Sequence, residues 1–265
     1  MMNSTASPDA PKRFGQFCSL LGLKLEGFQE KIVSDLFARR RESLILIPRG
    51  NGKTTLLAAL ALFHLLSRDD AKIAVGAASR EQAGVLFEIA RNMASHPQIA
   101  KRVEITRHEI RSAQGWLKVV ASDGPKQHGL DLTLAIVDEL HAHHDDELYI
   151  ALRTGLLKRP DAQLWTITTA GIGEDSALGV LRTRARKLPE ITVRLPDPGD
   201  RAESGNARMG AASIDDMELV KQVNPASWLD EQALAEQREA VERLRTTWPR
   251  LVQGADARVL NAPSP

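Results

Sequence analysis

The sequence predicts an α/β fold in which a mainly parallel sheet carries helices on both faces. Three observations point to it. Strand-like and helix-like segments alternate over residues 13–195. Several strand-like segments are short continuous apolar runs, as strands covered on both faces read. One of them runs through a glycine-rich turn directly into an Ala- and Leu-rich segment that favours helix.

Taken in order, the opening MMNSTASPDAP has neither a basic nor an apolar stretch of the kind a secretion signal carries, and residues 1–12 read as a loose tail. Ser43 to Ile47 is a buried strand and Lys53 to Leu66 a helix. Lys72 to Ala78 is a strand, and Ser79-Arg80-Glu81-Gln82 is a capping box opening a helix that runs to about Ser95. Val103 to Ile110 and Trp116 to Ser122 form a hairpin or a pair of edge strands. Leu132 to Asp138 is a buried strand, Asp145 to Lys158 a helix, Gln163 to Thr169 a strand and Ser176 to Leu188 a helix. The alternation then stops. Residues 196–213, rich in Pro, Gly and charge, read as a flexible loop, and 214–265 as a small C-terminal helical or linker segment with an amphipathic helix at Ser227 to Leu244. No internal repeat is evident.

Composition excludes several classes. With 265 residues and 43% hydrophobic content the chain is no disordered polymer. Thirty-five basic against 34 acidic residues leave a net charge of +1, so any contact with nucleic acid must come from local patches. A single cysteine, Cys18, rules out an intramolecular disulfide and multi-cysteine zinc sites. The longest apolar stretch, Leu56 to Leu66, contains His64 and is too short to cross a bilayer, so no membrane is expected as a partner.

The chemistry is carried by four motifs. LILIPRGNGKTT, residues 44–55, approximates a P-loop, although Ile47 stands where the first glycine belongs. Such a loop ends a buried strand with N–H groups directed at phosphates, and the following helix offers its positive end to the same anion. Pro48, Arg49, Gly50, Asn51, Gly52, Lys53, Thr54 and Thr55 are therefore candidate nucleotide contacts, with Lys53 on the β/γ-phosphates and Thr54 on Mg²⁺. LAIVDELH, residues 134–141, is an apolar strand ending in Asp138-Glu139, suited to a Mg²⁺ partner and a base that polarises water. Upstream lie Phe28-Gln29. A glutamine amide can pair with both N6 and N7 of adenine while an aromatic covers the base. Thr168-Thr169-Ala170-Gly171 places two hydroxyls at a strand end, where they could report the state of a γ-phosphate.

Gln29, the glycine-poor loop PRGNGKT, VDELH and ITTAG, in that order, resemble the ATPase domain of the terminase large subunit, the motor that packages DNA into tailed-phage capsids. The resemblance runs from about Leu25 to Ala240 and includes Asn224-Pro225. It implies a P-loop NTPase fold of the ASCE type, with ATP and Mg²⁺ as cofactors and Arg49 as a cis-acting sensor of the γ-phosphate. It further implies Asp138 as the Mg²⁺ partner, Glu139 as catalytic base and Thr168-Thr169 as the coupling motif. Implied partners are double-stranded DNA, a portal protein, a small terminase subunit and further copies in a ring, in the cytoplasm of a host bacterium. A neighbour's arginine would complete the site, and Arg102, Arg107, Arg111 and Arg153 are candidates. Such subunits usually continue into a nuclease domain. Here the chain stops at Pro265, so no nuclease activity is expected from it.

Alternative readings are a DExH-type helicase fragment, since DELH fits that box, and a non-hydrolysing prophage remnant acting as an adaptor. HAHHDD, residues 141–146, resembles a metal cluster but fits a loop and helix start better. Arg39-Arg40-Arg41 and Arg182, Arg184, Arg186 and Lys187 read first as solvated faces and second as DNA contacts. Trp116, Trp165, Trp228 and Trp248 read as packing residues.

Overall fold

A computed structural model of the chain describes residues 9–38, 41–122, 129–169, 176–187 and 191–194. Eight strands form one sheet in the order β3-β4-β5-β2-β6-β7-β1-β8. The strands are β1 Glu42–Leu46, β2 Lys72–Ala77, β3 Val103–Ile105, β4 Glu109–Ser112, β5 Gly115–Ala121, β6 Leu134–Asp138, β7 Gln163–Thr168 and β8 Ile191–Arg194. Every pairing is parallel except β3 with β4 and β4 with β5. The sheet is therefore mainly parallel, as the buried apolar runs require.

Both faces are covered. The helices are α1 Ala10–Leu20, α2 Gly27–Phe37, α3 Lys53–Ser67, α4 Arg80–Ala94, α5 Pro97–Ala100, α6 Glu147–Gly155 and α7 Ala177–Lys187. Because successive strand residues point to opposite faces, Ile45, Ile73, Val75, Ile136 and Ile167 enter a core under α1 to α4. Leu44, Ala74, Ala135, Val137 and Leu164 enter a second core with α6 and α7. Helix α3 is buried along nearly its whole length, Leu57, Leu60 and Leu62 completely. At about 1.5–3 kcal/mol for each fully buried leucine, it is a main anchor of the sheet. Trp165 is fully buried and packs edge-on against Phe37.

Several boundaries differ from expectation. Helix α1 begins at Ala10, inside the stretch read as a tail, with Phe14 and Cys18 on its buried face. The stretch 103–110 breaks into two short strands around a turn in which Thr106 Oγ1 receives the Glu109 amide at 3.2 Å. The N-cap half of the expected capping box forms, with Gln82 N donating to Ser79 Oγ at 3.3 Å. Among the described residues no helix is long and apolar enough to cross a membrane. Arg39-Arg40, Ala170-Gly171, the loop at 196–213, Asn224-Pro225, the helix at 227–244, Trp228 and Trp248 lie outside the described residues.

Candidate active site

Strand order assembles the motifs. Strand β7 lies between β1 and β6, so the loop after β1, the Asp138-Glu139 end of β6 and Thr168-Thr169 after β7 meet at one end of the sheet. Ile47 N donates to Thr168 O at 2.9 Å, and Glu139 N to Ile167 O at 3.0 Å. This is the carboxyl-end crevice in which open α/β sheets bind ligands.

The P-loop without its first glycine is explained by Ile47. Its side chain is buried in the core and its N–H prolongs the β1–β7 ladder, so the chain need not turn at that point. The turn comes later, where Gly50 and Gly52 take positive φ of 80° and 69°. Asn51, buried between them, braces the loop: its Nδ2 donates to Pro48 O at 3.2 Å and Arg49 O at 3.1 Å. Helix α3 then starts at Lys53, its N-terminal end facing a cavity of about 580 Å³. That volume suits a small-molecule ligand. Arg49, Gly50, Gly52, Lys53, Thr54 and Thr55 line it, with Glu139 opposite.

Lys53 and Glu139 meet. Lys53 Nζ lies 3.2 Å from Glu139 Oε1 and donates to Ile47 O at 3.2 Å and Pro48 O at 3.0 Å. Burial lowers the lysine pKa, and the Glu139 carboxylate opposes that shift. Glu139 is the N-cap of a short 3₁₀ turn, Leu140–Ala142, and adopts φ 50°, ψ 51°. A non-glycine residue in that left-handed region is uncommon and strained, and such residues gather at functional sites. Its other oxygen, Oε2, accepts from Thr169 N at 2.9 Å and Thr169 Oγ1 at 3.3 Å, and lies 3.1 Å from His141 Nδ1. Burial by itself would raise the Glu139 pKa. The His141 hydrogen bond, the Lys53 charge and the Thr169 amide outweigh it and hold the carboxyl at about 2.

Asp138 is in the opposite condition. It is 5% exposed, and its Oδ1 is buried without a hydrogen-bond partner. Burial, then the charge of Glu139, pushes its carboxyl up to about 7. A buried carboxylate with one oxygen unpartnered, beside a phosphate loop, suits a divalent cation, which would supply positive charge.

Other expected residues fall differently. Gln29 is buried and lines the cavity, but Phe28 does not; its ring packs against the core. Neighbouring helix residues diverge by about 100°, so with Gln29 turned inward Phe28 cannot cover the same ligand face. The cavity's far wall is formed by Cys18, Leu23, Lys24 and Leu25, which the sequence reading left unused. Only their place just upstream of Gln29 marked them. His141 and His143 of HAHHDD act as hydrogen-bonding groups, and His144 is exposed. Nδ1 of His141 lies 3.0 Å from Thr168 Oγ1, and His143 bridges Asp138 O at 3.0 Å and Ser122 Oγ at 2.8 Å. Among the described residues no group of three or more His, Cys, Asp or Glu side chains is arranged to hold a metal.

The arginine candidates separate by position. Arg184 and Arg153 pair with Glu42 at the amino end of β1, away from the cavity. Arg102 donates to Leu66 O near the end of α3, and Arg111 pairs with Glu109. Arg107 is exposed in the β3–β4 turn, which strand direction places at the same end of the sheet as the P-loop.

Residues 28–187 match the family model for the ATPase domain of the terminase large subunit. The chain is 31% identical over 176 residues to the terminase large subunit of Enterobacteria phage HK97, a span of 62% of this chain and 32% of that protein. It is 41% identical over 73 residues to protein YmfN of Escherichia coli strain K12, 26% of this chain and 14% of that one. The HK97 large terminase crystal structure superposes with a TM-score of 0.76 at 23% identity, covering 92% of this chain and 55% of that one. The large terminase ATPase domain of Thermus phage P74-26 gives 0.54 at 18% identity, covering 79% and 96%. The chain thus spans about a third of the HK97 relative's length. On the family match and the fold together, the chain belongs to the terminase large subunit ATPase domain family.

Proposed function

We propose that the chain is the ATPase motor domain of a phage DNA-packaging terminase large subunit, hydrolysing ATP with Mg²⁺ to drive double-stranded DNA into a procapsid. The observation that carries this reading is the Lys53–Glu139 contact across a phosphate-sized loop, with the buried Asp138 carboxyl and its unpartnered Oδ1 beside it.

Phosphates entering the cavity meet the start of α3, Lys53 and Arg49, all of which favour negative charge. As Lys53 turns to them it leaves Ile47 O, Pro48 O and Glu139. Glu139, ionised at neutral pH and steered by Thr169 and His141, then accepts the proton of the attacking water. Thr54 and Asp138 are the residues that would hold Mg²⁺, which neutralises phosphate charge when bound. Thr168 and Thr169 touch both the P-loop strand and Glu139, and so can pass the phosphate state onward. In this reading the partners are DNA, a portal protein, a small terminase subunit and other copies of the chain in a ring, in the host cytoplasm.

The test is Mg²⁺-dependent phosphate release by the purified chain. Lys53→Ala should lose both nucleotide affinity and turnover, whereas Glu139→Gln should bind ATP and turn over at least ~100-fold more slowly. A Glu139→Gln variant as fast as the parent would show that Glu139 is not the base.

A further inference from the structure

Two basic runs of the sequence have no part in the nucleotide site, and the fold brings them to one corner. The run ending in Arg41 precedes β1, and α7 returns to the same amino end of the sheet, where Ile191 of β8 pairs with Glu42 of β1. Arg184 of α7 donates to both Glu42 oxygens at 2.7 Å, and Arg153 of α6 donates to Oε2 at 3.4 Å. The Tyr149 hydroxyl of α6 donates to the same carboxylate. Glu42 is buried, so this single satisfied anion fixes two partly exposed guanidinium groups at the surface. Arg41, and Lys158 in the connection from α6 to β7, are exposed and have no ion-pair partner among the described residues. Asp161, in the same connection, is held by Arg68 at 2.6 Å. Four cations from three parts of the chain therefore stand around one carboxylate. The local excess of positive charge is larger than the +1 of the whole chain.

One cation suffices to neutralise Glu42, so the carboxylate does not account for the other three. Cations spread along an exposed edge suit a polyanion whose phosphates recur along its length better than a single small anion. We propose that the corner formed by Arg41, Arg153, Lys158 and Arg184 is a contact surface for the phosphate backbone of double-stranded DNA. The inference rests on the DNA-translocating reading above and names where DNA meets this chain. The corner lies at the amino end of β1, whereas the phosphate loop follows its carboxyl end. At ~3.3 Å per residue this five-residue strand sets them about 17 Å apart, so a change in the corner leaves the hydrolytic groups in place. Contacts of this kind position the duplex and carry no base preference.

The experiment measures binding of a fluorescein-labelled, mixed-sequence DNA duplex over a range of salt, together with DNA-free ATP hydrolysis of the same samples. It compares the full chain with a double variant, Arg41→Gln and Lys158→Gln, and with a control of equal charge change, Lys12→Gln and Arg91→Gln, both exposed on helices of the opposite face. The corner variant should weaken the duplex by at least ~10-fold at about 0.1 M salt and lower the slope of log K against log salt by about 2, since each phosphate contact contributes about 0.9. Its DNA-free hydrolysis should stay within about twofold of the parent's, which also shows that it folds. Equal weakening by the control would make the effect one of net charge and overturn the proposal. An unchanged affinity and slope would overturn it too, and reduced self-association of that variant would then assign the corner to an acidic protein surface. A parent that hydrolyses ATP but binds no duplex would overturn it as well. One that binds the duplex through this corner and hydrolyses no ATP would instead remove the motor reading and leave the contact surface standing.

Discussion

Asp138 and Glu139 are adjacent carboxylates whose replacement by amides should move stability in opposite directions. The folded protein holds the Asp138 proton more tightly than the unfolded chain does, since its carboxyl rises from 3.8 to about 7. The stability linked to that proton is complete below the unfolded value and is lost as pH rises through 7. A roughly thousandfold difference in proton affinity converts to about 4 kcal/mol at ~1.4 kcal/mol per tenfold, a ceiling that local relaxation and water entry reduce. Glu139 behaves in reverse. Its carboxyl falls from 4.5 to about 2, so its stabilisation is present above the unfolded value and lost as pH falls through the folded one. With no Mg²⁺ or nucleotide and at pH 8, Asp138→Asn should gain about 1–3 kcal/mol and Glu139→Gln lose about 1–2 kcal/mol. At ~2–4 °C per kcal/mol for a chain of this size, the two variants should melt several degrees above and below the parent. Thermal unfolding followed by circular dichroism in EDTA at pH 5 and pH 8 measures both. The Asp138→Asn gain should grow between those pH values. A destabilised Asp138→Asn at pH 8, or a gain identical at both, would refute the claim that an unpaired buried charge burdens this site.

Other outcomes follow from the same geometry. Thr169→Val keeps the backbone N–H to Glu139 but removes the hydroxyl near His141, so turnover should fall by about 10-fold with ATP affinity nearly unchanged; a matching rise in Kd would refute it. Raising protein concentration, or adding DNA as a scaffold, should raise specific activity, because a neighbour's arginine can add several orders of magnitude to turnover in such motors. Flat specific activity in a chain that sediments as a monomer throughout would count against the ring. Of the four arginine candidates, Arg107→Ala should blunt that concentration dependence and Arg153→Ala should not, since Arg153 is tied to Glu42 at the far end of the sheet.

How far the site could be read in the sequence depends on the range of the forces involved. The P-loop, Asp138-Glu139 and Thr168-Thr169 were legible because each sits at the carboxyl end of a buried strand, where an apolar run and a change of residue type coincide. The central strands were legible for the same reason. Helix α1 was not, because Pro11 and the polar residues before it read as a tail, while its buried face consists of Ala10, Phe14 and Cys18 in the core shared with α3. The roles of His141 and His143 were hidden too. They are set by hydrogen bonds to β7 and to Ser122 after β5, partners distant in the chain. Gln29 was found but its bond to Asn51 was not, since that bond depends on how α2 docks against the loop.

The position of β7 between β1 and β6 makes one strand the common ruler for both halves of the site. All six of its residues are buried, and it is paired on both edges. An inserted residue within Gln163–Thr168 would send every later side chain to the opposite face and put an aliphatic where Thr168 now meets the P-loop strand. Length variation among relatives should therefore collect in the connections between elements and spare this segment, so that its length is a firmer mark of the domain than the glycines of its phosphate loop.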